Sequence, residues 1–152
     1  MKNWLNKYYP LLIILFIASI LRINLLFVRG TFWFDEIFSF HFSQLPWGQA
    51  LKYWWLETNP PFHTFFLRFW VYLTGDNELL IRLSSLIFAL ITIILLYYWA
   101  EKSFSRQTAI ISTSLLSLSG IHLFVSTEAR AYSLLVLLSL ISMVFYQKLI
   151  ST

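Results

Sequence analysis

The stretch LLIRLSSLIFALITIILLYYW, residues 79–99, decides the fold class. Its one charge is Arg82, close to its start. A bilayer core about 30 Å thick needs roughly 20 apolar residues of helix at 1.5 Å each, which this stretch supplies. Working outward, three further segments approach or meet that length. They are residues 11–28, broken by Arg22 and Asn24, residues 108–125, and residues 131–146 running on toward Ile150. None holds an internal proline. The spacing predicts an all-α membrane protein of about four transmembrane helices.

Composition agrees. Only 12% of residues are charged, against about 25% in an ordinary soluble domain, so the solubilising surface is halved. The apolar residues fall in long blocks, which excludes disorder, collagen-like repeats and a small disulfide scaffold. Without cysteine there is no disulfide, thiolate zinc site or cysteine nucleophile. The formal charge is +4, yet the eleven Lys and Arg are scattered without a basic cluster, so nucleic acid is not an expected partner. Lys2 and Lys7 precede the first apolar segment as they would in a signal peptide. That segment runs long, carries Arg22 and offers no small-x-small cleavage site before Phe32-Trp33-Phe34, so it reads as an uncleaved helix.

The connection over residues 29–77 is too apolar for an ordinary loop. Pro46 suits the first turn of a helix whose stripe of Trp47, Leu51, Trp54 and Trp55 is bordered by Gln49, Lys52 and Glu57. A second helix starts at Asn59-Pro60-Pro61, with Asn59 as cap, and closes at Gly75. From Phe62 to Thr74 it covers only about 20 Å, short for a span. One or two interfacial helices are therefore expected in this first outer loop. In the third apolar segment Thr113, Ser117 and Gly120 share one face and allow close helix approach.

With a cytoplasmic N-terminus, crossing counts put residues 29–77 and 126–130 outside, and residues 101–107 and the C-terminus inside. Asp35, Glu36, Glu57, Asp76, Glu78 and Glu128 then lie outside and only Glu101 inside. That segregation points to an outer-face site.

Asp35-Glu36 is the first candidate. Two adjacent carboxylates in an aromatic, interface-depth segment are costly unless paired. They read as a general base, a metal ligand or both, or as solvated loop acids between aromatic anchors. Glu128, Arg130 and Tyr132 form a second cluster on the same side, either a site or a short hairpin in which Glu128 and Arg130 pair with each other. Arg22 and Arg82 add cations near the acids, as snorkelling side chains or as partners for an anionic lipid headgroup, especially a phosphate. His63 is a polar anchor or a ligand; His122 says less.

In order along the chain stand Asp35-Glu36, an aromatic stretch, Asn59-Pro60-Pro61-Phe62-His63, Gly75 with Glu78-Leu79-Leu80-Ile81-Arg82-Leu83-Ser84-Ser85, and Glu128-Ala129-Arg130-Ala131-Tyr132. This order resembles the N-terminal region of bacterial GT-C glycosyltransferases. The likeness is to the family 39 branch, related to protein O-mannosyltransferases and lipid A aminoarabinose transferases. The resemblance implies a polyprenyl-phosphate-linked sugar donor and transfer to an acceptor hydroxyl on the outer face of a bacterial inner or plasma membrane. Asp35 would be the catalytic base and Glu36 either its partner or a metal ligand, with Asp35 and Glu36 the residues that would hold a divalent cation, Mg or Mn, if one is used. Glu128, Arg130 and Tyr132 would line the donor headgroup, with Arg22, His63 and Arg82 as further substrate contacts. Such transferases have many more membrane helices than four, so residues 1–152 read as an N-terminal transmembrane portion, a fragment inactive by itself. The alternative is a small non-enzymatic membrane subunit that binds or moves a polyprenyl-phosphate lipid.

Overall fold

The decisive helix is capped at its start by Asn77, whose side chain accepts from the amides of Leu79 and Leu80 at 3.0 and 3.3 Å. It runs over Glu78–Ser103, a turn longer than the apolar stretch itself. The computed structural model describes residues 2–56 and 61–150, without the side chains of residues 2–7 and 54–56. Among the described residues eight helices follow in order: α1 (Lys2–Val28), α2 (Phe34–Gln44), α3 (Trp47–Leu56), α4 (Pro61–Thr74), α5 (Glu78–Ser103), α6 (Arg106–Leu118), α7 (Gly120–Val125) and α8 (Tyr132–Ile150). The expected cap Asn59, Pro60, Glu57 and the side chains of Trp54 and Trp55 lie outside the described residues.

Among the described residues, three helices are long and apolar enough to cross a membrane: residues Tyr8–Val28 of α1, then α5 and α8. Their length and composition are those of an all-α membrane protein. Their exposed large side chains, among them Phe16, Phe27, Leu138 and Phe145, present apolar surface suited to lipid. The first of these helices begins before the expected apolar segment and carries Pro10 inside it, which removes one backbone donor from its early part.

Packing contacts fix the directions of the traverses. Leu11 of α1 clusters with Tyr97 and Ala100 of α5 and Ala109 of α6, while Ile14 and Ala18 meet Ile93. Residues late in α5 thus face residues early in α1, so the two helices are antiparallel. At the end of α1, Arg29 reaches the Phe124 carbonyl at 3.3 Å. The α6–α7 pair therefore runs the length of α1 in the same direction. Ser133 Oγ donates to the Val125 carbonyl at 2.9 Å, and Gln147 accepts from Trp99 and Ser103, so α8 returns beside α5. The described residues thus run the length of the bundle four times, three of them as helices long enough to span.

The third traverse departs from expectation. It is two helices of 13 and 6 residues rather than one uninterrupted span. Ser119 leaves the helical region at φ −59°, ψ 123°, and its side chain caps α7 by accepting from His122 N at 3.5 Å. The small-residue face holds for Thr113 and Ser117, both buried, whereas Gly120 lies beyond the break and is exposed.

The first connection holds three helices rather than one or two. The α3 and α4 helices fall where expected, Pro46 preceding the first and accepting at its carbonyl from Gln49 N and Ala50 N. The α4 helix ends at Gly75, whose φ of +79° suits glycine and whose amide closes back on Val71. The additional helix is α2, with the acidic pair in its first turn, where carboxylates are favoured by the helix dipole. A core of Leu67, Val71, Ile81 and Ala129, flanked by Phe32 and Phe40, ties α2 and α4 to the start of α5 and to the turn before α8. This core is the floor of the candidate site.

Candidate functional site

Glu36 occupies the third position of α2, from which a glutamate reaches back to the start of its own helix. Its Oε2 accepts from Trp33 N at 3.4 Å. The side chain is 0% exposed and bonded on every side. Arg82 from α5 grips it through Nε to Oε1 at 2.9 Å and Nη2 to Oε2 at 2.6 Å, and the amide of Ala129 donates to Oε1 at 2.8 Å. The remaining guanidinium donors of Arg82 go to the carbonyls of Gly30 at 2.8 Å and Thr31 at 3.3 Å, and its face covers the Phe32 ring at 5.0 Å. Three separate segments, the start of α2, the start of α5 and the turn before α8, are thus joined on one buried carboxylate, and Arg82 adds the chain just after α1 through Gly30 and Thr31.

Asp35, one residue earlier, is placed differently. Its side chain keeps 36% of its exposure, and its ionic contact is Arg130 Nη2 at 3.5 Å. Arg130 is held by long bonds: Nη1 to the Asp35 carbonyl at 3.2 Å and to Ser39 Oγ at 3.3 Å, and Nη2 to Tyr132 Oη at 3.4 Å. Its ionic contact with Asp35, at 3.5 Å, is longer than the roughly 2.7–2.9 Å of a full-strength charge-assisted bond, and its remaining bonds go to neutral oxygens. The adjacent acids divide into one carboxylate that is fully used and one that is available.

Glu128 and Arg130 do not pair with each other, as the hairpin reading had them. Glu128, 1% exposed, takes Arg29 of α1 at 3.2 Å, and Arg130 takes Asp35. Burial pushes the Glu128 carboxyl above its ordinary range, opposed by the hydrogen bond from Arg29. Its Oε2 has no partner among the described residues. Arg29, Arg82 and Arg130 therefore each form an ion pair at one end of the bundle, and the Arg29–Glu128 and Arg82–Glu36 pairs line a cleft of about 290 Å³ with Trp33 and Phe124, whose lining does not include Asp35 or Arg130.

Of the other expected contacts, Tyr132 lies at the site, its ring 5.4 Å from the Arg130 guanidinium. His63 is buried on α4, and burial with the nearby charge of Arg130 lowers its pKa to about 4, so it is neutral at pH 7. Arg22 is not brought to the site: it is fully buried within the span of α1, bonded to Ala18, Ser117 and His122. Sequence reasoning missed Arg29, Ser39 and the Ala129 amide. The position of Arg29 at the lipid–water end of the first apolar segment was the one available signal, and it reads equally well as a snorkelling anchor.

A divalent cation shared by Asp35 and Glu36 does not fit these residues. Both Glu36 oxygens are engaged by Arg82, whose positive charge would face the ion. No group of three His, Asp or Glu side chains suited to a metal occurs among the described residues. Arginines are the positive charges this end of the bundle offers to an anionic ligand.

An all-α membrane bundle with an arginine–carboxylate site at one end, built from the loop after the first span and the turn before the last, defines the class. The sequence family described as dolichyl-phosphate-mannose-protein mannosyltransferase matches residues 58–151, more than half of the chain. The chain belongs to that family, a glycosyltransferase family of the GT-C type. The matched range includes Arg82, Glu128, Arg130 and Tyr132 and stops short of Asp35 and Glu36. No curated protein and no solved structure matches.

Proposed function

We propose that the protein transfers a sugar from a polyprenyl-phosphate-linked donor to an acceptor hydroxyl, with Asp35 as general base. The observation that carries this reading is the division of the acidic pair. A working base needs free lone pairs and access, and Asp35 has both, whereas Glu36 spends its oxygens on Arg82 and the Ala129 amide. In the reaction the acceptor hydroxyl gives its proton to Asp35 as its oxygen attacks the anomeric carbon. The bond from that carbon to the phosphate oxygen breaks, and the polyprenyl phosphate leaves with the electron pair. Arg130 is the group best suited to meet the developing charge, because its contact with Asp35 is long and its remaining bonds go to neutral oxygens. Tyr132 and Ser39 steer its guanidinium, and neutral His63 adds no competing positive charge at pH 7.

The test is reconstitution of the whole transferase, with residues 1–152 in their full protein context, in lipid nanodiscs with a polyprenyl-phosphate mannose donor and a panel of hydroxyl acceptors. Release of polyprenyl phosphate that depends on acceptor and on Asp35 is the expected result. Release that is indifferent to Asp35 would remove the residue from the chemistry.

The orientation follows from the same reading, with the N-terminus cytoplasmic and the site on the outer face. The protein has no cysteine of its own, so single cysteines report unambiguously. Gly48 on α3 and Gln107 on α6 are both exposed and lie at opposite ends of the bundle. In intact cells, Gly48→Cys should react with an impermeant thiol reagent and Gln107→Cys only after permeabilisation. The reverse pattern would invert the topology, and labelling of both from outside would break the crossing order.

A further inference from the structure

We infer that Arg22, deep within the first span, is a positioning residue that sets the site-bearing turn over residues 126–130 by pinning the break between α6 and α7. In an unbroken helix the Ser117 carbonyl would take the Ile121 amide. Here it accepts Arg22 Nη1 at 3.2 Å. The same nitrogen donates to Ala18 O at 3.1 Å, and Arg22 Nη2 meets His122 Nδ1 at 2.7 Å. Arginine only donates, so His122 Nδ1 is the acceptor and the ring proton sits on Nε2. One guanidinium therefore holds the last turn of α6 through Ser117 and the first turn of α7 through His122.

Irregular backbone at membrane depth persists where protein groups satisfy it, and a buried arginine in a span needs a reason of this kind. Arg22 forms no ion pair among the described residues, which leaves the break as its work.

The consequence reaches the site because α7 is only six residues long. Two turns further along α1, Arg29 holds the other end of α7, bonding the Phe124 carbonyl at 3.3 Å and covering the Phe124 ring at 4.5 Å. With both ends fixed from α1, α7 delivers the turn in which the Ala129 amide meets Glu36, Glu128 meets Arg29 and Arg130 meets Asp35. Of these two arginines only Arg22 touches no site residue, so its influence is indirect.

This inference rests on the assignment of the Asp35 end as the site only for its functional meaning, and its test reads structure without activity. Amide hydrogen exchange is measured on the whole chain in nanodiscs, for the parent and for Arg22→Met, Arg22→Lys, His122→Leu and His122→Gln. Arg22→Met and His122→Leu should speed exchange of the Ala129 amide by about tenfold or more, the scale of losing one charge-assisted contact in a local opening. Amides in the α5 segment around Ile93 should keep the parent rate. His122→Gln retains an acceptor for Arg22 and should restore most of the protection, and Arg22→Lys should fall between. Parent-like exchange at Ala129 in both Arg22→Met and His122→Leu would overturn the inference. So would an equal rise at Ala129 and Ile93, which would make Arg22 a contributor to overall stability alone.

Discussion

Asp35→Asn should lower sugar transfer by about two to four powers of ten, the usual worth of a positioned acid or base, with the fold left intact. The carboxamide has nearly the same shape and can still accept from Arg130 through its oxygen, so the 3.5 Å contact survives in weaker form. What it cannot do is take a proton from an acceptor hydroxyl. Because the side chain is 36% exposed, the stability cost should stay within about 0.5 kcal/mol. Single-turnover assays under saturating donor separate the chemical step from binding. Near-normal turnover in Asp35→Asn would transfer the role of base to another group.

Glu36→Gln should do the opposite kind of damage. It removes the charge that compensates Arg82 where the two side chains are 0% and 4% exposed. Breaking a buried pair by removing one partner costs about 3–5 kcal/mol, because the other charge stays behind uncompensated. Arg82→Met should cost a comparable amount, leaving Glu36 with only backbone donors. Combining Arg82→Met with Glu36→Leu should recover a large share of the loss, since an apolar pair of similar volume no longer buries charge. Thermal unfolding in detergent, followed by tryptophan fluorescence, measures all four proteins. Single variants as stable as the parent would mean that the Arg82–Glu36 contact does not hold the three segments together.

Three of the four expected spans were legible, because length and hydropathy along one segment are sufficient to define a span; the third traverse is a broken pair of helices, each too short to qualify. The α2 helix was not legible, because its cap is Trp33 rather than Ser, Thr, Asp or Asn, so the usual start signal is missing. The break at Ser119 was equally hidden. Serine and glycine within an apolar run are tolerated in a helix, and the group that stabilises the break, Arg22, lies 95 residues from Ser117. At the site, cost of burial singled out the acidic pair. Which acid is free depends on Arg82, 46 residues from Glu36, and on an alanine amide 93 residues away that no side-chain pattern reports. The same long-range pairing separated Glu128 from Arg130, which short spacing had joined. Buried arginines found their partners through the topology of the bundle, and local sequence carries no trace of that.

The division of labour within Asp35-Glu36 makes a stereochemical demand. One available carboxylate acting as base gives a single displacement at the anomeric carbon, whereas two displacements would need a carboxylate acting as nucleophile. Glu36 is occupied by Arg82 and the Ala129 amide and is 0% exposed. The decisive measurement is the anomeric configuration of the transferred sugar, read by proton NMR from the product of a donor of known configuration. Inversion is the expected result. Retention would point to a covalent intermediate, on Asp35 or on another carboxylate, and would contradict the assignment of Asp35 as general base in a single displacement.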